Sequence, residues 1–471
     1  MTIIERLTEV ANFLWGWPLI IVIVFTGIFL TVRTGGVQFR RFGYMLKTTF
    51  GSITQKESEV EGTGLMKPLK LALAAMAGTI GTGNIAGVGM AIGVGGPGAV
   101  FWMWVVALFS MITKYSEIVL GVHYREYDEN TQQYDSGPMY YIKKGLGSKW
   151  VWLATTYALL FGLAYFVMAF VQSNTIAIGM KDLLGAKPLV TGLILAAIMA
   201  LVVFGGLKSL VKVSEVLVPV MSILYVLAAL FIIIANIGKL PSVLATIVSS
   251  AFTGSAAVGG FLGSTVVLSM RQGFARGIFS NDGGVGLGAI VHGQGITTHP
   301  AKQGMWGLFE VFIDTIVVCT ATACVIMFTG AYETGYKGLS LTAEAFSIGL
   351  PGSFAGKALI CLSVALFGFT TCINNNYLFT QAMNYVFHNV KYKIIVIICG
   401  VLSLGGAVYG ALGGLEDIWG MADLFLAIVI IINLPVVIAL SGKVKELTQD
   451  FFGTNKWKED LERQKARKAK K

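Results

Sequence analysis

Two stretches of this sequence place polar and backbone-exposing residues where an apolar run should continue. The first is Gly78-Thr79-Ile80-Gly81-Thr82-Gly83-Asn84, in the middle of the apolar segment Leu71–Val94. The second is Ser269-Met270-Arg271-Gln272-Gly273-Phe274-Ala275-Arg276-Gly277, followed by Phe279-Ser280-Asn281-Asp282-Gly283-Gly284. A helix interrupted inside a bilayer exposes N–H and C=O groups, which are costly unless ligand, water or protein satisfies them. A half-helix starting near Gly83 presents N–H groups and a positive dipole end, which suit a carboxylate. A half-helix ending near Gly78 presents carbonyls, which suit Na+ or an ammonium. One break can therefore bind both ends of a zwitterion. At the second break, carbonyls around Gln272, Gly273 and Phe274 are expected to hold the ammonium, with Phe274 and Ile278 lining a side-chain pocket. The competing account is close helix packing by glycine. Two clusters at related positions, one with Asn84 and one flanked by Arg271 and Arg276, favour binding.

Other polar residues sit in apolar runs and must find partners inside the protein. Gln172 is an amide in such a run, suited to substrate contact or to an interhelical hydrogen bond. Thr370 and Thr371 are adjacent hydroxyls that either complete an ion site or bond back to their own helix. Asp314 and Glu310 lie one turn apart on one face. Arg271 or Arg276 is their expected counter-ion, forming an ion pair or gate rather than a proton carrier. Lys114 and Glu117 read as a helix-terminal pair. His123, His292, His299 and His388 and the five cysteines show no metal spacing, and the cysteines read as buried thiols without a predictable disulfide.

The elements that hold these residues follow from composition. Of 471 residues, 55% are hydrophobic and 13% charged, with mean hydropathy +0.73. A soluble domain carries about 25% charged residues. A soluble enzyme, a disordered chain and a nucleic-acid binder are excluded, and a polytopic all-α membrane protein remains. The 58 glycines exceed the usual ~7%. Eleven spans are expected, at roughly 13–33, 68–91, 98–122, 150–180, 187–207, 213–237, 262–292, 304–330, 355–387, 393–413 and 417–441. The stretch 241–261 is expected as a short interfacial helix and loop. With the N-terminus outside, 26 of the 35 basic residues fall on the inner side and six on the outer. That asymmetry places the N-terminus outside and the C-terminus in the cytoplasm. The basic tail after 442 is expected on anionic lipid or disordered. The two interrupted spans are the second and seventh. Without the first span they open two five-helix halves of opposite orientation, the sequence signature of a transporter site.

Several runs then resemble the alanine or glycine:cation symporter family (sodium:alanine symporters). They are Gly95-Gly96-Pro97-Gly98-Ala99-Val100-Phe101-Trp102-Met103-Trp104, Gly81-Thr82-Gly83-Asn84-Ile85-Ala86-Gly87, Lys114-Tyr115-Ser116-Glu117, Arg276-Gly277-Ile278-Phe279-Ser280-Asn281 and Phe312-Ile313-Asp314-Thr315. The resemblance covers nearly the whole chain, in order. It implies a LeuT-like 5+5 inverted repeat preceded by one extra N-terminal helix. It also implies that Thr79, Gly81, Thr82, Gly83 and Asn84 hold a substrate carboxylate, although Asn84 also reads as a cap of the outer half-helix. In such folds hydroxyls of the eighth core helix face carbonyls of the first broken helix. Here that Na+ site would be Ala77, Ile80, Thr370 and Thr371. Two departures bear on the substrate. Asp282-Gly283-Gly284 stands where the family has Glu-Ala-Gly, and Asn374-Asn375-Asn376 where it has a Gly-Trp pair. With Asn375 at the site, a side chain larger or more polar than alanine's is admitted.

The expected divisions are 1–66 (first span and an amphipathic basic segment), 67–240 (first repeat), 241–441 (inverted repeat) and 442–471 (basic tail). The expected function is Na+-coupled import of a small neutral amino acid, alanine or glycine, with serine or glutamine in range. The alternative is a proton-coupled carrier of the same fold. No enzyme activity, nucleic-acid partner or cofactor is expected beyond Na+ as the coupling ion. The expected location is the cell membrane, and the oligomeric state is left open.

Overall fold

A computed structural model describes residues 3–53, 55, 59–253 and 266–469. Nearly all of them are helical. Among the described residues the strands form one two-stranded hairpin, Glu126–Asp128 with Gln133–Asp135. Eight helices among the described residues are long and apolar enough to cross a bilayer: Arg6–Arg33, Gly98–His123, Ser148–Leu184, Gly206–Ala235, Pro300–Thr329, Ser353–Val386, Tyr392–Leu412 and Leu415–Ala439. A ninth span results if the bent pair Pro68–Thr79 and Gly83–Gly95 counts as one. Two further expected spans have shorter counterparts. The helix Pro188–Val203 has 16 residues, about 24 Å of rise, against a hydrocarbon core of about 30 Å. The expected span 262–292 is divided into Val266–Asn281 and Leu287–His292, and residues 262–265 lie outside the described residues. The interfacial helix expected at 241–261 is Leu240–Thr253. The loop expected to follow it lies outside the described residues as well.

The two interruptions differ in construction. The first helix ends at Thr79, with Ile80 extended (φ −74°, ψ 95°). It resumes at Gly83 through a wide turn that continues as Val88–Gly95, bent by 48° from the first half. The second helix runs uninterrupted to Asn281. There Asp282 (φ 53°), Gly284 (φ 92°) and Gly286 (φ 94°) take left-handed backbone and turn the chain into Leu287–His292. Only glycine, and less readily Asp or Asn, adopts that region cheaply. The second break therefore lies at 282–286, not within 271–277 as expected. The glycines at 273 and 277 are instead close-packing positions. A Cβ on Gly273 would stand 2.5 Å from the Ala99 carbonyl, and one on Gly277 2.4 Å from Val106.

The helix Val151–Leu184 packs along Ser353–Val386 and Leu415–Ala439, and Gly98–His123 lies along Val266–Asn281 and Pro300–Val311. Both broken helices are enclosed by these long ones. The C-terminal tail departs from expectation. It forms helices Ser441–Gly453 and Lys456–Ala469, docked on protein. The Tyr44 hydroxyl donates to Asp460 at 3.0 Å, Lys302 reaches the same carboxylate at 2.5 Å, and the Arg41 guanidinium lies 4.4 Å from the Trp457 ring centroid. Phe451, Phe452, Trp457 and Leu461 supply the apolar contact surface. Charge pattern alone had pointed to lipid, and these four residues outweigh it.

Candidate functional site

Around the first break, amides and hydroxyls from three helices converge. Thr82 donates from Oγ1 to Gln172 Oε1 at 2.8 Å, and its N–H lies 3.4 Å from the same oxygen. Gly81 N–H donates to Asn84 Oδ1 at 2.9 Å. Asn84 thus ties the unwound turn to the start of the outer half-helix rather than capping it, and its Nδ2 donates onward to Asp314 Oδ1 (2.8 Å) and Ser280 Oγ (2.9 Å). The Thr79 hydroxyl is buried and unpartnered. Gly83 packs on Ser280 and Phe279: a Cβ there would stand 3.1 Å from Ser280 Cα. Thr79, Gly81, Thr82, Gly83, Asn84 and Gln172 therefore share one buried locality.

Of the four residues expected to hold Na+, Thr371 faces Ala77. Its Oγ1 lies 3.0 Å from the Ala77 carbonyl and 3.0 Å from Phe367 O on its own helix. Ile80 forms the extended exit from the first half-helix. Thr370 is directed elsewhere, donating to Phe367 O at 2.9 Å. Close approach here depends on glycine. A Cβ on Gly81 would stand 2.5 Å from Thr371 Oγ1, and one on Gly78 2.0 Å from Asn374 Nδ2. Asn374 is fully buried, and neither its amide nitrogen nor its oxygen has a partner. Asn375 turns away from Gly78. With its amide oriented to satisfy both ends, it bridges Thr371 O (3.2 Å) and Ala169 N (3.3 Å). The asparagine at the first break is Asn374, one residue earlier than expected.

Gln272, Gly273 and Phe274 do not join this group. They lie inside the helix Val266–Asn281. Gln272 meets Gly95, Gly273 meets Ala99, and Phe274 lies 6.3 Å from Trp102 between ring centroids. Their carbonyls belong to an intact helix, so the expected ammonium site there is withdrawn. Ile278 is fully buried one turn further on. The residues of this helix that reach the first break are Phe279 and Ser280. Phe279 stacks 4.7 Å from Trp419, whose ring also approaches Gly87.

The expected ion pairs are redistributed. Arg276 pairs with Asp423, and its guanidinium lies 4.5 Å over Trp419. Asp314 has hydrogen-bond donors and no arginine: Asn84, Ser280 (2.7 Å) and Thr315 (2.8 Å). Glu310 pairs with Lys114 (3.2 Å) and with His292 (2.6 Å), while Glu117 accepts from Asn433 at 2.6 Å. Asp423 was legible as an acid inside an apolar run, which must find a cation. Nothing in the sequence marked Trp419 or Ser280 as neighbours of the break. The assembly offers hard oxygens and amide groups around an unwound turn, an arrangement that can bind a cation beside a zwitterion.

The model of the sodium:alanine symporter family matches residues 1–466. The chain is 35% identical over 458 residues to the sodium/alanine symporter AgcS of Methanococcus maripaludis, covering 96% of this chain and 98% of that one. It is 36% identical over 453 residues to the "Probable sodium/glutamine symporter GlnT" of Bacillus subtilis, covering 95% and 91%. Among solved structures, a Na+-coupled sialic acid symporter superposes with TM-score 0.55 at 12% identity, covering 89% of this chain and 98% of that one. MhsT in complex with L-phenylalanine gives TM-score 0.58 at 15% identity, covering 78% and 88%. These are LeuT-like transporters, and at such identity they show the shared fold.

Proposed function

This chain belongs to the sodium:alanine symporter family of multi-pass membrane transporters, which are not enzymes, and on that premise we propose that it imports a small neutral amino acid together with Na+. Alanine, glycine, serine and glutamine are the substrates in range. The observation that carries this reading is the first break. Cation-type oxygens (Ala77 O, Thr371 Oγ1) and the Thr82–Gln172 pair both border Gly81, with the unpartnered Thr79 hydroxyl two residues earlier. Na+ would bridge Ala77 and Thr371, which a shared proton now joins. Asp314, Ser280 and Thr315 bring three further hard oxygens to Asn84, a second coordination set. Ordering of the unwound turn by Na+ raises affinity for the amino acid, and the coupling is reciprocal. The chain is oriented N-terminus outside and C-terminus in the cytoplasm. The halves 67–240 and 241–441 rock about the first break in alternating access. Asp314 favours one second reading, with a proton in place of Na+, because its buried carboxylate is hydrogen-bonded to Asn84 at the first break.

A thermal-shift screen of the twenty amino acids, in NaCl and in choline chloride, tests the proposal, because a ligand of the native state raises its melting temperature. The expected hits are Ala, Gly, Ser or Gln, in Na+ only. Hits confined to acidic or basic amino acids refute the neutral-zwitterion pocket. In proteoliposomes, uptake driven by a pH gradient and indifferent to Na+ selects the proton reading.

A further inference from the structure

Four buried carboxylates gather around one lysine. Glu117, Asp282, Glu310 and Asp314 are each at most 1% exposed, and Lys114 is within electrostatic reach of all four. His292, on Glu310, is the other base in the cluster. Even with His292 protonated, four negative charges face two positive ones. An uncompensated pair of charges at this depth is not sustainable. Lys114 is already committed: its Nζ holds Glu310 at 3.2 Å and the Asn281 carbonyl at 3.0 Å. Glu117 is held by Asn433, and Asp314 by Asn84, Ser280 and Thr315.

Asp282 differs from the other three in having neither an ion pair nor an amide donor on its carboxylate. It sits at the second break in left-handed backbone (φ 53°), and its Oδ1, like Glu117 Oε2 and Glu310 Oε2, lacks a hydrogen-bond donor. The fully buried Tyr165 hydroxyl lies beside this carboxylate, and no residue other than Asp282 bonds it. The break's backbone is already spoken for. The carbonyls of Asn281, Gly284 and Val285 accept from Lys114 (3.0 Å), Asn433 (3.0 Å) and Tyr157 (2.5 Å). Asp282 Oδ1 thus stays unsatisfied beside the Tyr165 hydroxyl, in a cluster short of two positive charges.

We propose that Asp282 and Tyr165 form a cation site at the second break, taking one monovalent cation, Na+, in addition to the sites at Ala77–Thr371 and Asp314. A carboxylate and a hydroxyl are hard oxygen ligands suited to an alkali cation. One monovalent ion here and one at Asp314 close the charge balance, whereas a divalent ion here would overshoot it. The identity of the ion rests on the symport reading; the existence of the site rests on the cluster.

The test is equilibrium binding of radiolabelled Na+ to the full-length protein in detergent without amino acid, with melting temperature followed against Na+ concentration at constant ionic strength. Wild type, Asp282→Asn, Tyr165→Phe and Thr371→Val are compared. Asp282→Asn is expected to lose one bound ion per chain, and Tyr165→Phe to weaken one ion several-fold without lowering the count. Thr371→Val weakens a different ion about 5-fold, so Asp282→Asn/Thr371→Val loses one ion and weakens a second. If Asp282→Asn binds as many ions as wild type, the site is refuted and the carboxyl is held neutral by a proton. If wild type shows no Na+ binding over a choline background, the symport reading fails as well. Should Asp282→Asn not fold, Asp282→Glu, which keeps the carboxylate, and Tyr165→Phe decide. A wild-type ion count and affinity in both overturn the proposal.

Discussion

At the first break, between Thr79 and Gly83, the freed backbone is met by neutral groups: Asn84, Gln172, Thr371 and the unsatisfied Asn374. At the second, between Asn281 and Leu287, it is met by a lysine, an asparagine and a tyrosine, and a carboxylate is left over. An unwound turn thus exposes the same backbone chemistry in both places, and the side chains around it decide what ligand it accepts. The first leaves a hydroxyl and an amide unpartnered beside the bend, suited to a polar neutral molecule and a cation sharing it. The second has its carbonyls satisfied and holds a net charge, suited to an ion alone.

The sharpest way to break this contrast is Gly81→Ala. Its Cβ would stand 2.5 Å from Thr371 Oγ1, overpacking the bridge to Ala77. Overpacking costs up to about 3 kcal/mol, so Na+-dependent uptake should fall about 100-fold while the protein remains folded by circular dichroism. Asp314→Asn removes the carboxylate that joins the two breaks through Asn84 and Ser280. The Na+ concentration for half-maximal uptake should rise by about 10-fold, roughly the 1.4 kcal/mol of a lost charge-assisted contact. An unchanged Na+ requirement would detach Asp314 from the cation. Thr371→Val keeps the shape and removes one oxygen, and should raise the same concentration about 5-fold, near 1 kcal/mol. Gln172→Ala should leave the Na+ requirement in place and weaken amino-acid binding about 5-fold. A Na+ effect instead would merge the two functions of the first break.

The smallest expected effect lies outside both breaks and serves as a control. On the hairpin, burial pushes the Asp135 carboxyl up to about 6. The folded state therefore holds a proton that the unfolded chain releases near its ordinary carboxylate value. Stability is greatest below that value, falls as pH rises toward about 6, and is level above it. Melting temperature followed from pH 4 to 7 should show this small decline, and Asp135→Asn should flatten it without changing Na+-dependent uptake.

Much of the fold was legible because membrane spans are local properties. An apolar run long enough to cross declares itself, and a glycine-threonine cluster inside one declares a break. The first break appeared where the glycines place it. The second was misplaced by about ten residues because glycine has two uses. At 273 and 277 it admits a neighbouring helix, and at 284 and 286 it supplies left-handed backbone. Only packing distinguishes the two. The tail was misread because its charges outnumber its aromatic residues, yet the aromatic residues set where it lies.

By itself the sequence determined that the chain is a membrane transporter of helices, that one helix breaks within Gly78–Asn84, and that every acid in an apolar run needs a partner. Tertiary structure decided which partner. Arg276 met Asp423, Glu310 met Lys114 and His292, and Asp314 met Asn84 at the first break. It also chose Asn374 over Asn375 to face Gly78. The reason is geometric. Successive residues on a helix point about 100° apart, so a neighbour's identity depends on the rotation of each helix in its packing. That rotation is a property of the assembled bundle and of no single segment.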